Sequence, residues 1–380
     1  MVAVSGVDPT RFGGTLLAEL GRENTVLDRG LYRSFRIEEG PTVKTAAIFG
    51  ERDAGVVDRA QPQPIEDFAL VKVHAVPMCT EYKAFEAGRQ GDRFGHEAAG
   101  EVVEVAQPGR VKVGDRVVVQ PGYPCGRCSL CLAGDHIHCQ SPRDVQEITG
   151  STTGTAAYAQ YLLKADWLLS PVPDGVSYEH AGMACCGLGP TFGAVRQMGV
   201  TAHDTVLTTG LGPVGLGGVI NATYLGARVI CVERNPYRAN LAQELGAEVV
   251  LNPDDADALE QIMDLTGGVG VDKAMDCSGN PRAHRLMINA TRSKGQASFI
   301  GKGGEFPLAA SRDMIRKGLI LRGSWHYNLA DYPTLMRVIE RSSEQIDKLI
   351  THSFPMSQVQ QAWELQATLE CGKVILNPWA

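Results

Sequence analysis

The sequence contains no stretch approaching the roughly 18 consecutive apolar residues that a membrane helix requires, so no membrane partner is expected. It has no basic stripe to track a phosphate backbone, and its net charge of −7 argues against nucleic acid as a partner. The opening residues, Met1 to Asp8, carry neither a basic segment nor an apolar run of signal length, so a cytoplasmic, reducing location is the expectation. Internal repeats and low-complexity segments are absent. Ten cysteines are too few for a disulfide scaffold across 380 residues, and in a reducing compartment close pairs read as metal ligands.

What is present is ordinary globular material: 44% hydrophobic and 21% charged residues, with 43 glycines and 20 prolines to make many tight turns. The length exceeds one hydrophobic core, so two domains are expected. Residues 1–44 show little alternation and read as an N-terminal arm. From 45 onward the pattern is short and β-rich, with strands at Phe68–Val73, Gly100–Val105 and Asp115–Gln120, in the style of a small barrel. After about Gly187, strand and helix alternate. Strands are expected at Thr205–Thr208, Arg228–Glu233, Glu248–Leu251, Val271–Asp276, Gln296–Ile300 and Leu319–Leu321, with helices at Pro213–Leu225 and Pro236–Leu245. That alternation predicts an α/β chain with a doubly wound parallel sheet. The tail ends in another strand, Lys373–Leu376, expected to rejoin the first domain.

Gly210-Leu211-Gly212-Pro213-Val214-Gly215 is a G-x-G-x-x-G run between an expected strand and helix, with Glu233 eighteen positions after Gly215 at the end of the next strand. Gly210 permits the tight turn, Gly212 lets backbone approach a pyrophosphate, and Gly215 permits close helix packing. Helix N–H groups and dipole then meet the phosphates. Glu233 would accept from the adenosine ribose hydroxyls and repel a 2′-phosphate, favouring NAD, whereas Arg234 and Arg238 could pair with that phosphate and leave NADP open.

Cys125, Cys128, Cys131 and Cys139 form C-x₂-C-x₂-C-x₇-C, four thiolates able to close a tetrahedron around one Zn²⁺ with no position left for substrate. Such a site is structural. A disulfide fails on compartment and spacing, and an iron–sulfur cluster lacks its usual setting. His136 and His138 are spare donors expected at the solvent or just behind the ligands. Cys79 and the Gly95-His96-Glu97 run complete the candidates, together with Cys186-Gly187.

In this order the motifs resemble the zinc-dependent medium-chain dehydrogenase/reductase family, of alcohol and polyol dehydrogenase type. They are Cys79, then Gly95-His96-Glu97, the four-cysteine lobe, Cys186-Gly187 before Thr191-Phe192-Gly193-Ala194, and the Gly210–Gly215 fingerprint with Glu233. The likeness runs from about Lys44 to Pro378. It implies a GroES-like β-rich catalytic domain (45–187 and 327–380), a Rossmann cofactor domain (188–326), and an active site between them. It further implies two zinc ions per chain and an NAD(P) cofactor. Cys79, His96 and Cys186 would hold a catalytic zinc, with Glu97 the neighbouring carboxylate and Cys185 left to packing. The family usually reads Cys-x-Ser/Thr-Asp after its first ligand, whereas here Cys79-Thr80-Glu81-Tyr82 is one residue shorter. Thr80 would then relay the alcohol proton, with water or Tyr82 as alternatives, and Glu81 would orient His96. Backbone at Ile300-Gly301 and Gly323-Ser324 would cradle the nicotinamide, and Lys373 could offset pyrophosphate charge or sit at the surface. Tyr82, Lys83, Lys302, Trp325 and His326 are expected near the pocket, a lining suited to a polyhydroxylated or anionic alcohol.

The function implied is hydride transfer between a secondary alcohol or polyol and NAD. The alternatives are an NADPH-dependent carbonyl reductase of the same fold and a non-catalytic binding protein that keeps the zinc. A small-molecule alcohol or carbonyl substrate and a homodimer or homotetramer follow from the resemblance.

Overall fold

The structure, a computed structural model, describes residues 40–380. The arm expected at the N-terminus lies outside the described residues except at its last positions, where the first strand has already begun. Fifteen strands are found among the described residues. They are β1 (Thr42–Gly50), β2 (Asp53–Ala60), β3 (Phe68–Pro77), β4 (Ala98–Val105), β5 (Arg116–Val119), β6 (Tyr161–Ala165), β7 (Leu169–Pro171), β8 (Thr205–Thr209), β9 (Arg228–Val232), β10 (Val249–Leu251), β11 (Val271–Asp276), β12 (Thr291–Phe299), β13 (Ile320–Gly323), β14 (Ile350–Pro355) and β15 (Lys373–Asn377).

The β-rich part is a hairpin of β1 and β2 plus a seven-stranded sheet in the order β14-β15-β3-β4-β5-β7, with β6 also paired to β3. β3 is longer than the apolar run Phe68–Val73 suggests. It continues to Pro77 because it finds antiparallel partners on both sides, β4 through Ala75↔Ala99 and β15 through Leu376↔Val76 and Ile375↔Pro77. Proline is tolerated there, at a strand end. The tail strand β15 therefore lies against β3, directly before Cys79.

The other sheet is six-stranded and wholly parallel, in the order β10-β9-β8-β11-β12-β13. The first strand, β8, sits in the middle and the winding reverses between β8 and β11, the place where such sheets bind ligands. β12 begins at Thr291, earlier than Gln296, with a register shift against β11 between Val271 and Lys273. One apolar core runs without a break from Ala75, Ala99 and Val118 of the first sheet to Val206 and Val229 of the second and to Leu216 and Val219 of the helix Pro213–Tyr224. A second core fills the β-rich part around Trp363, which packs on Phe85, Phe94 and Tyr158 with ring centroids 5.6–5.9 Å apart. No helix among the described residues is long and apolar enough to cross a membrane.

Candidate active site and metal centres

The four-cysteine lobe folds as its spacing suggests. Turns at Gly126 (φ +73°) and Gly134 (φ +87°) bring the Sγ atoms of Cys125, Cys128, Cys131 and Cys139 within 4.8 Å of one another. Three of the separations are 3.4, 3.9 and 4.0 Å. A tetrahedron with metal–sulfur bonds of about 2.3 Å has edges of about 3.8 Å, so the donor set fits Zn²⁺. Backbone N–H groups of Cys125, Cys128 and Ser141 donate to these sulfurs. The Cys131 N–H, with the neighbouring thiols, holds Cys128 down to about 6, the charge a cation would neutralise.

One expectation for this lobe fails. His138 is exposed and stacks edge-on against Trp325, but His136 is only 1% exposed, and neither of its ring nitrogens has a partner among the described residues. The cause is a clamp from the chain leaving the parallel sheet. Asn328 Nδ2 donates to Ala133 O (2.7 Å) and Asp135 Oδ1 (2.9 Å), and the Leu329 N–H donates to Gly134 O (3.0 Å).

The second cluster gathers Cys79, His96, Glu97 and Cys186, their donor atoms also within 4.8 Å of one another. Cys79 follows β3, His96 and Glu97 precede β4, and Cys186 sits in the turn before the helix Gly189–Met198. Gly95 has φ +86°, and any side chain there would run into the Tyr158 ring, so glycine sets the approach of His96. Glu81 Oε1 lies 2.9 Å from His96 Nδ1 and leaves Nε2 facing the thiols, 3.2 Å from Cys186 Sγ. Glu81 is fixed in turn: Tyr158 Oη donates to its Oε2 at 3.0 Å and the Cys79 N–H at 3.2 Å. A carboxylate behind a histidine in this way fixes ring orientation and raises ligand basicity. Hydrogen bonding from Cys186 holds the Cys79 thiol well below the usual range against the opposing effect of burial. Two thiols, one imidazole and a nearby carboxylate are a zinc donor set with room for a fourth ligand.

Glu97 is fully buried and does not stand free. Lys373 Nζ lies 2.8 and 2.9 Å from its two oxygens, and the Cys186 N–H donates to Oε2 at 3.1 Å. Burial pushes the Glu97 carboxyl up to about 7 even with the lysine beside it. Lys373 is thus neither a surface residue nor a pyrophosphate ligand; β15 carries it inward to Glu97. Cys185 is buried, its thiol donating to Val119 O.

Beside this cluster opens a cavity of about 550 Å³. Cys79, Thr80, His96 and Cys186 line it together with Val214, Ile300 and Gly301. Lys83, Lys302, Trp325 and His326 line it as expected, but Tyr82 does not. Tyr82 opens the short helix Tyr82–Glu86 and packs against the core of the β-rich part. Ser324 is also turned away: its hydroxyl donates to Pro190 O and its N–H to Phe299 O.

A second cavity of about 450 Å³ lies over the carboxyl ends of β8 and β9, lined by Gly210, Glu233, Arg234, Asp254 and Ser278 among others. Gly212 caps the helix Pro213–Tyr224, whose Pro213 takes the first turn, and Gly215 is pressed so closely on Gly210 O that no side chain fits. Glu233 accepts from the N–H groups of Leu211 (2.6 Å), Arg234 (2.8 Å) and Asn235 (2.9 Å), which leaves about one of its four acceptor positions for a ligand. Arg234 is paired with Asp254 at 2.8 Å. Arg238 is not in this cavity; it donates to Cys371 O, with its guanidinium beside Gly212.

Comparison with known proteins gives the same picture. Residues 66–174 match the alcohol dehydrogenase GroES-like domain, and residues 213–341 match the zinc-binding dehydrogenase domain. The chain is 32% identical over 352 residues to an L-threonine 3-dehydrogenase of Pyrococcus furiosus, covering 88% of this chain and 97% of that one. It is 30% identical over 352 residues to a sorbitol dehydrogenase of Bacillus subtilis, with the same coverage. An alcohol dehydrogenase structure from Thermotoga maritima superposes with a TM-score of 0.77 at 25% identity, covering 89% of this chain and 100% of that one. A GroES-like β-rich domain joined to a Rossmann sheet, with two zinc-type donor clusters, makes this chain a member of the zinc-dependent medium-chain dehydrogenase/reductase family, of alcohol and polyol dehydrogenase type.

Proposed function

We propose that the protein oxidises a secondary alcohol or polyol reversibly with NAD, using one catalytic and one structural zinc. The observation that carries this reading is a single cavity lined both by Cys79, His96 and Cys186 and by Val214, Ile300 and Gly301. In it a metal would reach the hydroxyl oxygen and a nicotinamide the carbon of one substrate carbinol group. A zinc ion bound by Cys79, His96 and Cys186 would act as a Lewis acid on the substrate hydroxyl, and NAD would take the hydride. Glu81 holds the His96 ring in the orientation that points Nε2 inward. Glu97, pinned by Lys373, keeps a carboxylate beside the cluster. Thr80, an exposed residue of the cavity lining, would move the substrate proton outward through its hydroxyl.

Glu233 favours NAD over NADP because its carboxylate, with Asp254 and Asp255 on the same cavity wall, would repel a 2′-phosphate, while Arg234 is already held by Asp254. Arg238, beside Gly212, is assigned to the pyrophosphate. Residues 45–187 with 327–380 form the catalytic domain and 188–326 the cofactor domain in this reading. Six cysteines gathered as metal donors suit a reducing cytoplasm. A homodimer or homotetramer is proposed on the family resemblance. The substrate class is a polyol or other polar alcohol, given Lys83, Lys302 and His326 on the cavity wall.

Zinc quantitation with NAD⁺ and NADP⁺ assays over a panel of alcohols tests the reading. Two zinc per chain are expected, falling to one in Cys186→Ala, with turnover by NAD⁺ and polyols preferred to hexanol. Retention of both metals in that variant refutes the ligand assignment, and hexanol turnover equal to that of polyols refutes the substrate class.

A further inference from the structure

The cavity wall carries two imidazoles that neither metal cluster uses. His136 is 1% exposed and His326 5% exposed, and all four of their ring nitrogens lack a partner among the described residues. Their rings meet edge to face with centroids 6.1 Å apart, and both line the cavity that holds Cys79, His96 and Cys186. They lie 190 positions apart in the sequence and are brought together by the Asn328 clamp, so their meeting is a product of the fold. Buried polar groups without partners are costly, and a pair retained beside a ligand cavity calls for a ligand that satisfies them.

We propose that His136 and His326 form a hydroxyl-recognising subsite, binding hydroxyl groups of a neutral polyol beyond the carbon that is oxidised. The proposal rests on the reading of this cavity as the site of alcohol oxidation. Each neutral imidazole offers one donor and one acceptor, and a hydroxyl group both donates and accepts, so the two match in either direction. A carboxylate or phosphate only accepts and would meet one unprotonated nitrogen per ring. Burial holds His136 down to about 4 and His326 down to about 3, so both rings are neutral under ordinary conditions. The lysines of the same cavity, Lys83 and Lys302, are exposed, unlike this buried pair. A site built to bond a hydroxyl discriminates strongly against an analogue that lacks it, because its own buried groups are then left unpaired.

The test compares sorbitol and erythritol with 2-butanol, which has the carbinol but no further hydroxyl. Zinc-loaded wild type, His136→Phe, His326→Phe and the corresponding Asn variants are assayed. In the Phe variants kcat/KM for the polyols is expected to fall by about 10–100-fold, carried mainly by KM, while that for 2-butanol stays within about threefold. Asn, which keeps a donor and an acceptor, is expected to restore part of the loss. Equal losses on both kinds of alcohol, or no loss on polyols, overturns the proposal. A second measurement needs no variant: in ¹⁵N-histidine-labelled wild type, sorbitol should shift two imidazole signals that 2-butanol leaves in place. No sorbitol-dependent shift overturns the proposal as well. If instead the wild type oxidises none of these alcohols, it is the dehydrogenase reading that fails, and the imidazole shifts still decide the subsite.

Discussion

Lys373→Met leaves Glu97 buried without its cation while nearly keeping the lysine's volume. The two side chains are 1% and 0% exposed and 2.8 Å apart, so neither can turn to water without moving β15 from β3. Breaking a buried pair by removing one partner costs about 3–5 kcal/mol. Glu97 can relieve part of this by taking up a proton, since burial already pushes its carboxyl up to about 7, so the lower end applies at mildly acidic pH. With about 2.1 cal/mol/K of unfolding entropy per residue, the melting temperature should fall by about 4–6 °C. The assay is thermal unfolding of the metal-free protein, so that lost zinc affinity does not contribute. Glu97→Gln should cost a similar amount, and the double variant Glu97→Gln/Lys373→Met markedly less than the sum of the two. Strictly additive losses, or a Lys373→Met protein that melts like the wild type, would refute the view that the pair acts as a unit.

Lys164 is another buried cation, 4% exposed, with Nζ donating to Gly122 O at 2.8 Å and lying 3.8 Å from the centre of the Tyr123 ring. Burial lowers it to about 7 from 10.5. The unfolded chain therefore binds more protons between these values, and stability should rise with pH from about 7 toward 10, by up to about 1.4 kcal/mol per unit. Denaturant titrations at several pH values should show that slope in the wild type and a flatter one in Lys164→Met; equal slopes would exclude Lys164 as its source. Glu233→Ala should reduce the preference for NAD⁺ over NADP⁺ by at least about tenfold in kcat/KM, because it removes both a ribose acceptor and a negative charge. An unchanged ratio would assign the discrimination to Asp254 and Asp255.

Much of this was legible in the sequence, where the information is local. The helix Pro213–Tyr224, the strand β11 and the four-cysteine lobe fall where glycine placement, alternation and cysteine spacing put them. Glu81 could be assigned to His96 because the shortened Cys79–Tyr82 run leaves a carboxylate where the family places one. Residues whose setting is made by distant chain were not legible. Lys373 sits in an apolar strand where a lone lysine suggests an edge, and only the pairing of β15 with β3 turns it toward Glu97, 276 positions away. His136 carries a local pattern of solvent exposure and is covered only by the segment around Asn328. Tyr82 and Ser324 were expected at the pocket from the family resemblance, but the first turn of a short helix and a hydrogen bond to Pro190 take them elsewhere.

The pairing of β15 with β3 also sets an order of events during synthesis. Cys79, His96 and Cys186 emerge early, but Lys373, which neutralises the carboxylate among them, follows only when the tail strand has been made. Until then Glu97 lacks its counter-ion and β3 lacks a neighbour along the part that leads to Cys79. The long sequence separation of this contact makes it slow to form, and domains completed earlier fold ahead of it. A nascent chain would thus hold every donor of this cluster well before it has the lysine that neutralises Glu97.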